Sequence, residues 1–203
     1  MKLRIAIDGF GRIGRSLFRE ILDNSEYEVV HISDLMSLEM AHYLLKYDSV
    51  HGRLQHKSSF EDNRLFINGL AIEYGPITQN NKIDILFVCH NEYTSIDTLL
   101  PYQKMGIKRV ILSSMPSDDM PVFSMGINHN NYNNETIFST GSCTTNALGL
   151  ILQEIDTTFS LQSGNITSIH SYTSDQNILD ASYNGSEFQK SRAAAINIIP
   201  VNS

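Results

Sequence analysis

Leu3-Arg4-Ile5-Ala6-Ile7-Asp8-Gly9-Phe10-Gly11-Arg12-Ile13-Gly14 is the stretch that decides how this 203-residue chain folds. The apolar run from Leu3 to Ile7 stops at Asp8-Gly9, and from Gly14 to Leu22 apolar residues recur at helical spacing, which predicts strand, turn and helix. After Asp23-Asn24-Ser25 comes a second apolar run, Tyr27 to Ile32, so the chain opens with a β-α-β unit. Within it, Gly9, Phe10, Gly11, Arg12, Ile13 and Gly14 fit G-x-G-x-x-G at the strand–helix junction. Glycines there permit a tight turn and close approach of a pyrophosphate, whose charge the N–H groups at the helix start can bind. Asp34 stands twenty positions beyond Gly14, at the end of the second strand, where a carboxylate accepts hydrogen bonds from a ribose 2′-hydroxyl. It would repel a 2′-phosphate and no arginine sits beside it, so the pattern predicts NAD, not NADP, as cofactor.

Working outward, Arg64 to Ile67 and Leu70 to Tyr74 flank Asn68-Gly69, a dipeptide suited to a type I′ turn, which predicts a hairpin. Ile83 to Cys89 reads as a buried strand, Thr94 to Met105 as a helix and Arg109 to Ser113 as another strand. The alternation gives an α/β fold class: a Rossmann-type, doubly wound, mostly parallel sheet over residues 1–141. An α+β domain is expected to begin at 142–203, with a helix from Ala147 to Phe159 and a strand of alternating burial from Ile166 to Tyr172. Ser174 to Ser191 is long, polar and irregular, a kind of loop that is usually functional. The final Val201-Asn202-Ser203 carries no stop signal of a finished domain, so the second domain is expected to be incomplete and the chain a fragment.

Composition narrows the function classes. A formal charge of −7, without a basic block or basic helix face, argues against nucleic acid and against an anionic membrane surface. No apolar run approaches the roughly 20 residues of a bilayer span, and no signal-peptide pattern is seen, so the expected location is cytoplasmic. Two cysteines, Cys89 and Cys143, are too few for a disulfide framework or a zinc cluster, and no metal is expected.

Ser142-Cys143-Thr144-Thr145 precedes an apolar helix. Cys143 would then sit near a helix N-terminus, where the dipole lowers a thiol pKa and backbone N–H groups offer an oxyanion hole. The same residues could equally be an ordinary helix cap around a structural cysteine. His170, on the expected strand beside Ser171, Tyr172 and Thr173, is the candidate base. His31, His42, His51, His56, His90 and His129 read as structural.

Four segments together, Ile7 to Arg15, Leu44 to Arg53, Ser142 to Asn146 and His170 to Thr173, resemble the signatures of glyceraldehyde-3-phosphate dehydrogenases in order and spacing. The resemblance implies that Cys143 attacks the aldehyde carbon of a phosphorylated aldose while His170 acts as base, that hydride passes to NAD, and that inorganic phosphate releases the thioester. It also implies a cofactor contact at Ser114, phosphate contacts at Ser142, Thr144, Thr173, Asp175, Lys190 and Ser203, and a homotetramer for the full-length family. This chain departs from the family at several points. Asp8 stands where asparagine is usual, Cys89-His90-Asn91 where Ser-Thr-Gly is usual, and Lys190 where arginine is usual. Asp8 is expected to disfavour a cofactor with anionic phosphates, and Lys190 lacks the bidentate fork of arginine. The family's chain is longer, so this one is expected to have little activity alone. Two other readings share these residues: erythrose-4-phosphate dehydrogenase, suggested by Ile178 to Ala181 and Ile199 to Val201, and a non-catalytic NAD-binding homologue.

Overall fold

The computed structural model describes residues 2–78 and 82–200. Ser203, expected at a phosphate site, lies outside the described residues. Two compact units divide the chain, Met1–Glu154 and Ile155–Ser203.

In the first unit, β1 (Leu3–Asp8), α1 (Arg12–Leu22) and β2 (Tyr27–Ser33) form the opening unit expected from the sequence. They are followed by α2 (Leu38–Lys46), a short antiparallel pair β3 (Tyr47–Asp48) and β4 (Gly52–Arg53), and the meander β5 (Ser58–Glu61), β6 (Arg64–Ile67) and β7 (Leu70–Tyr74). The chain then crosses to β8 (Ile85–Val88), α3 (Ile96–Lys104), β9 (Arg109–Leu112), β10 (Ile137–Ser139) and α4 (Cys143–Phe159). Eight strands form one sheet in the order β10-β9-β8-β1-β2-β7-β6-β5. Pairing is parallel from β10 through β7 and antiparallel for β7-β6-β5, so the sheet is doubly wound and mostly parallel.

Strand β1 is the centre of this arrangement because its residues alternate between two cores. Ile5 and Ile7 face Phe10, Phe18, Ile21 and Leu45 on one side, whereas Ala6 faces Leu86, Val88, Leu99 and Val110 on the other. Helix α1 buries Gly14, Phe18 and Ile21, one stripe at helical spacing, and Phe18 meets Phe10 edge to face at 5.6 Å. Helix α3 begins at Ile96 instead of Thr94 because Ser95 caps it, its hydroxyl accepting from the Thr98 N–H while the Thr98 hydroxyl accepts from the Ser95 N–H. The expected hairpin is present, with Asn68 and Gly69 at φ of +51° and +84°. A second such turn precedes it at Asp62 and Asn63, φ +45° and +58°, joining β5 to β6.

The second unit differs from the sequence expectation. Residues 166–172 form no strand among the described residues, and Ile166, Ile169 and Tyr172 are exposed. Alternating apolar residues become a strand only where another strand takes their backbone groups, and no described neighbour does so here. Beyond the end of α4, the described order comes from the 3-10 turn Phe188–Ser191, from backbone bonds such as Ala181 N–H to the Ser191 carbonyl and Ala194 N–H to the Asn177 carbonyl, and from side-chain bonds. Asn177 Nδ2 donates to the carbonyls of Ala181, Ser182 and Lys190, and Asp180 Oδ1 accepts from the buried Ala193 N–H at 2.9 Å.

Phe18→Ala removes a fully buried ring from the α1–β1 contact. The expected loss is about 3–5 kcal/mol of unfolding free energy, measured by denaturant titration of both chains.

Candidate functional site

From β1 the strand order runs to β2 on one side and, after the crossover, from β8 to β9 on the other, so the carboxyl ends of the parallel neighbours β1 and β8 form the switch point at which doubly wound sheets bind ligands. Gly9 turns the chain there at φ +94°. A Cβ on it would lie 2.8 Å from the Cys89 carbonyl carbon, so the loop and the end of β8 touch backbone to backbone. A Cβ on Gly14 would lie 2.1 Å from the Gly9 carbonyl oxygen, and helix α1 is therefore seated directly on the loop. Gly11, the residue that caps α1, has nothing within 4 Å of where its Cβ would be. That open space fronts the unpaired N–H groups of the first turn, which begins with Arg12 and Ile13.

Asp34 Oδ2 accepts from the Phe10 N–H at 2.5 Å and Oδ1 from the Met36 N–H at 2.9 Å. The carboxylate therefore ties the glycine loop to the end of β2. The Ser114 hydroxyl, just past β9, is buried with no hydrogen-bond partner among the described residues. An open phosphate space over a helix start and an orphaned buried hydroxyl are what a bound dinucleotide would use, so these residues fit NAD.

Asp8 is not a bare charge beside the loop. Its carboxylate is buried and engaged: Tyr102 Oη donates to Oδ2 at 2.5 Å, and His90 Nε2 lies 3.4 Å from the same oxygen. Burial pushes the Asp8 pKa up, but the bonds from His90, Tyr102 and Ser33 outweigh it and hold the carboxyl below its ordinary value. His90 in turn is raised, chiefly by that bond to Asp8. The two departures in sequence thus meet in space, with His90 paired to Asp8. Nothing local in the sequence links positions 8 and 90; only the β1–β8 pairing brings them together.

Cys143 is the first residue of α4 and is exposed, and neither cysteine is in a disulfide. Gly141, φ +78°, turns the chain into the helix, and the Ser142 hydroxyl accepts from the Thr145 N–H at 3.0 Å, so Ser142 is the cap. Asn146 Nδ2 donates to the carbonyls of Thr140 and Ser142 at 2.8 and 2.9 Å, bracing the turn from inside the helix. Thr145 and Asn146 were missed as supports, although Ser-x-x-Thr is itself a capping pattern. Thr144 lies in the same first turn. Cys89, by contrast, packs against the first core, and burial pushes its thiol up to about 11.

Candidate residues of the second unit fall into two places. The His170 ring places Nδ1 2.5 Å from the Ser171 carbonyl oxygen, which can only accept. In the neutral ring the proton is therefore on Nδ1 and the lone pair on Nε2. Thr173, Asp175 and Lys190 are brought together: the Thr173 hydroxyl donates to Asp175, and Lys190 Nζ lies 2.7 Å from Glu187 and 3.8 Å from Asp175. Lys190, raised mainly by Glu187, is a charged group already between two carboxylates. Glu187 was not foreseen at this place.

Among the described residues no three His, Cys, Asp or Glu groups converge as metal ligands, and no helix is long and apolar enough to cross a membrane. Fold and switch-point loop together define a dehydrogenase-type dinucleotide-binding domain joined to a cysteine-led helix. Residues 3–114 match the family model described as glyceraldehyde 3-phosphate dehydrogenase, NAD binding domain, and residues 142–203 match that family's C-terminal domain. Glyceraldehyde-3-phosphate dehydrogenase 1 of Bacillus subtilis is 36% identical over 100% of this chain and 63% of its own length. The enzymes of that name from Lactobacillus delbrueckii subsp. bulgaricus and Helicobacter pylori are 38% and 37% identical over 98% and 99% of the chain, again 63% of their own length. This chain belongs to the glyceraldehyde-3-phosphate dehydrogenase family, with NAD as the cofactor of its first domain, and it spans about 63% of the length of those relatives.

Glycine substitutions separate folding from binding. Gly14→Ala, which drives a methyl into the Gly9 carbonyl, is expected to lower stability by about 1–3 kcal/mol, read by thermal melting. Gly11→Ala is expected to melt within about 0.5 kcal/mol of the parent while its NAD dissociation constant, read by calorimetry, rises at least about tenfold. Iodoacetamide on the native chain is expected to label Cys143 and spare Cys89, as peptide mass mapping will report.

Proposed function

We propose that the chain carries the nucleophile and cofactor machinery of an NAD-dependent, phosphorylating oxidation of glyceraldehyde-3-phosphate to 1,3-bisphosphoglycerate. The observation that supports this reading most directly is Cys143 exposed as the first residue of α4, on a turn braced by Ser142, Thr145 and Asn146. The Cys143 thiolate adds to the aldehyde carbon, a C–S bond forms as the C=O π bond breaks, and the resulting alkoxide takes a proton from the His170 imidazolium to become a hydroxyl. The first-turn N–H groups of α4, which Cys143 begins, are the donors available to the alkoxide before that proton arrives. NAD, held at the Gly9–Gly14 loop with Asp34 and Ser114 beside it, would supply the hydride acceptor for this carbon. His170 Nε2 takes the hydroxyl proton, which leaves a thioester on Cys143. Phosphate oxygen then attacks the thioester carbon, the C–S bond breaks, and Cys143 returns as thiolate with an acyl phosphate released.

Residues 1–141 serve as the NAD-binding domain and 142–203 as part of the catalytic domain in this reading. Ser142, Thr144, Thr173, Asp175 and Lys190 position the two phosphates. A cytoplasmic homotetramer is the assembly that goes with it.

Cys143→Ser is expected to lower turnover on the order of 10⁶-fold and His170→Asn about 10²–10⁴-fold, measured as NADH formation with glyceraldehyde-3-phosphate and phosphate. Equal rates with and without phosphate, or faster turnover of erythrose-4-phosphate, would replace the reading with its sugar-acid counterpart. Unchanged rates in both variants would remove Cys143 and His170 from the chemistry, and NAD binding without NADH formation by the parent would leave a non-catalytic NAD-binding protein.

A further inference from the structure

Asp8 is an anion at the worst place for one. It ends β1, one residue before the loop whose backbone is shaped for phosphate, and it is buried. An unpaired buried carboxylate is costly for folding and repels a second anion strongly in a low dielectric. Three groups face it from three elements: Ser33 from β2, Tyr102 from α3 and His90 from the end of β8. Ser33 and Tyr102 supply neutral hydrogen bonds. Only His90 can supply a positive charge, and it flanks the loop itself, its backbone nitrogen 3.1 Å from the Cβ position of Gly9. The charges that act on His90 are Asp8, Glu92 and Asp34, all negative, while Tyr93 stacks edge-on against its ring at 5.1 Å.

The ring has two arrangements. In the neutral one, Nδ1 accepts from the Glu92 N–H at 3.2 Å, so Nε2 carries the proton toward Asp8. Protonation of Nδ1 breaks the Glu92 bond, which is exposed and can turn to water, and gives the ring a full charge beside Asp8.

We infer that His90 is a positioning residue for the dinucleotide: as imidazolium it neutralises Asp8 next to the pyrophosphate loop, so NAD affinity is set by the protonation of His90. This rests on the NAD-binding reading of the loop. The sign follows from the direction in which Asp8 moves the histidine. Its pKa lies above the ordinary value near 6.5, so the ion pair is complete at acid pH and is lost as pH rises through that raised value. Binding is tight on the acid side and weakens on the alkaline side.

The experiment is calorimetric titration of the full chain with NAD from about pH 6 to about pH 9, alongside an NMR titration of the His90 ring in the ligand-free chain. The parent's dissociation constant is expected to rise about tenfold across the range, with its midpoint at the NMR-determined pKa of His90. Asp8→Asn keeps the shape and removes the charge, so the His90 pKa falls toward the ordinary one and the affinity no longer weakens on the alkaline side, holding there at the parent's tight value. His90→Gln leaves Asp8 uncompensated, giving weak, pH-independent binding, and Asp8→Asn with His90→Gln restores the tight value. A purely structural His90 would not be rescued by the second change. Binding that is flat in pH in the parent, or that still weakens toward the alkaline side in Asp8→Asn, overturns this inference and leaves the cofactor site standing. No NAD binding at any pH by the parent or by Asp8→Asn, with His90 titrating normally, overturns both.

Discussion

The contact between helix α1 and the loop before it, where Gly14 comes so close to the Gly9 carbonyl that no methyl fits, governs the rest of the first unit. Seating the helix there fixes where its N-terminus points and places Phe18 over Ile5 and Ile7. It also brings Phe10 within reach of Asp34, which anchors the loop to β2. Remove the close approach and three things shift together: the phosphate space, the first core, and the end of the neighbouring strand. A motif usually described by its ligand is here first a packing constraint, and the open space at Gly11 is what remains when that constraint is met.

The sheet was legible wherever local chemistry and pattern agreed. Strands β1, β2 and β9 and the Asn68-Gly69 hairpin sit within a residue or two of their expectations, because continuous apolar runs and a turn dipeptide need no distant information. Helix α2 and strands β5 and β10 were not read. Ser58-Ser59-Phe60-Glu61 has little apolar content and becomes a strand by pairing with β6, and β10 is three residues long and depends on β9. Residues 166–172 show the converse case, a strand-like pattern with no described partner. In both directions the missing information was the neighbour.

The site divides in the same way. Glycines, Asp34, Cys143 at its helix start and the capping serine are local features and were found as such. The Asp8–His90–Tyr102 cluster is not local: its members come from β1, the end of β8 and α3, and each alone looks like an unremarkable departure or a structural residue. The grouping of Thr173 and Asp175 with Lys190 was expected only through resemblance, whereas Glu187, which binds the lysine most closely, carried no signal of its own. Cys143 and His170 lie in separate compact units, the one an exposed thiol at a helix start and the other a ring whose neutral lone pair is on Nε2.

The two margins of the sheet are unlike each other. At β10 the backbone of Ser139 is already taken up: its N–H bonds the Pro121 carbonyl and its carbonyl accepts from Phe123, with Val122 bridged alongside. At the opposite margin β5 is the last strand, and its sequence sets two serines and a glutamate beside a single exposed aromatic. A polar, acidic, four-residue border is a poor template for another strand, and a margin already occupied offers none. Among the described residues the sheet is therefore guarded against lateral growth by different means at each side, which lets a set of largely apolar strands stay discrete.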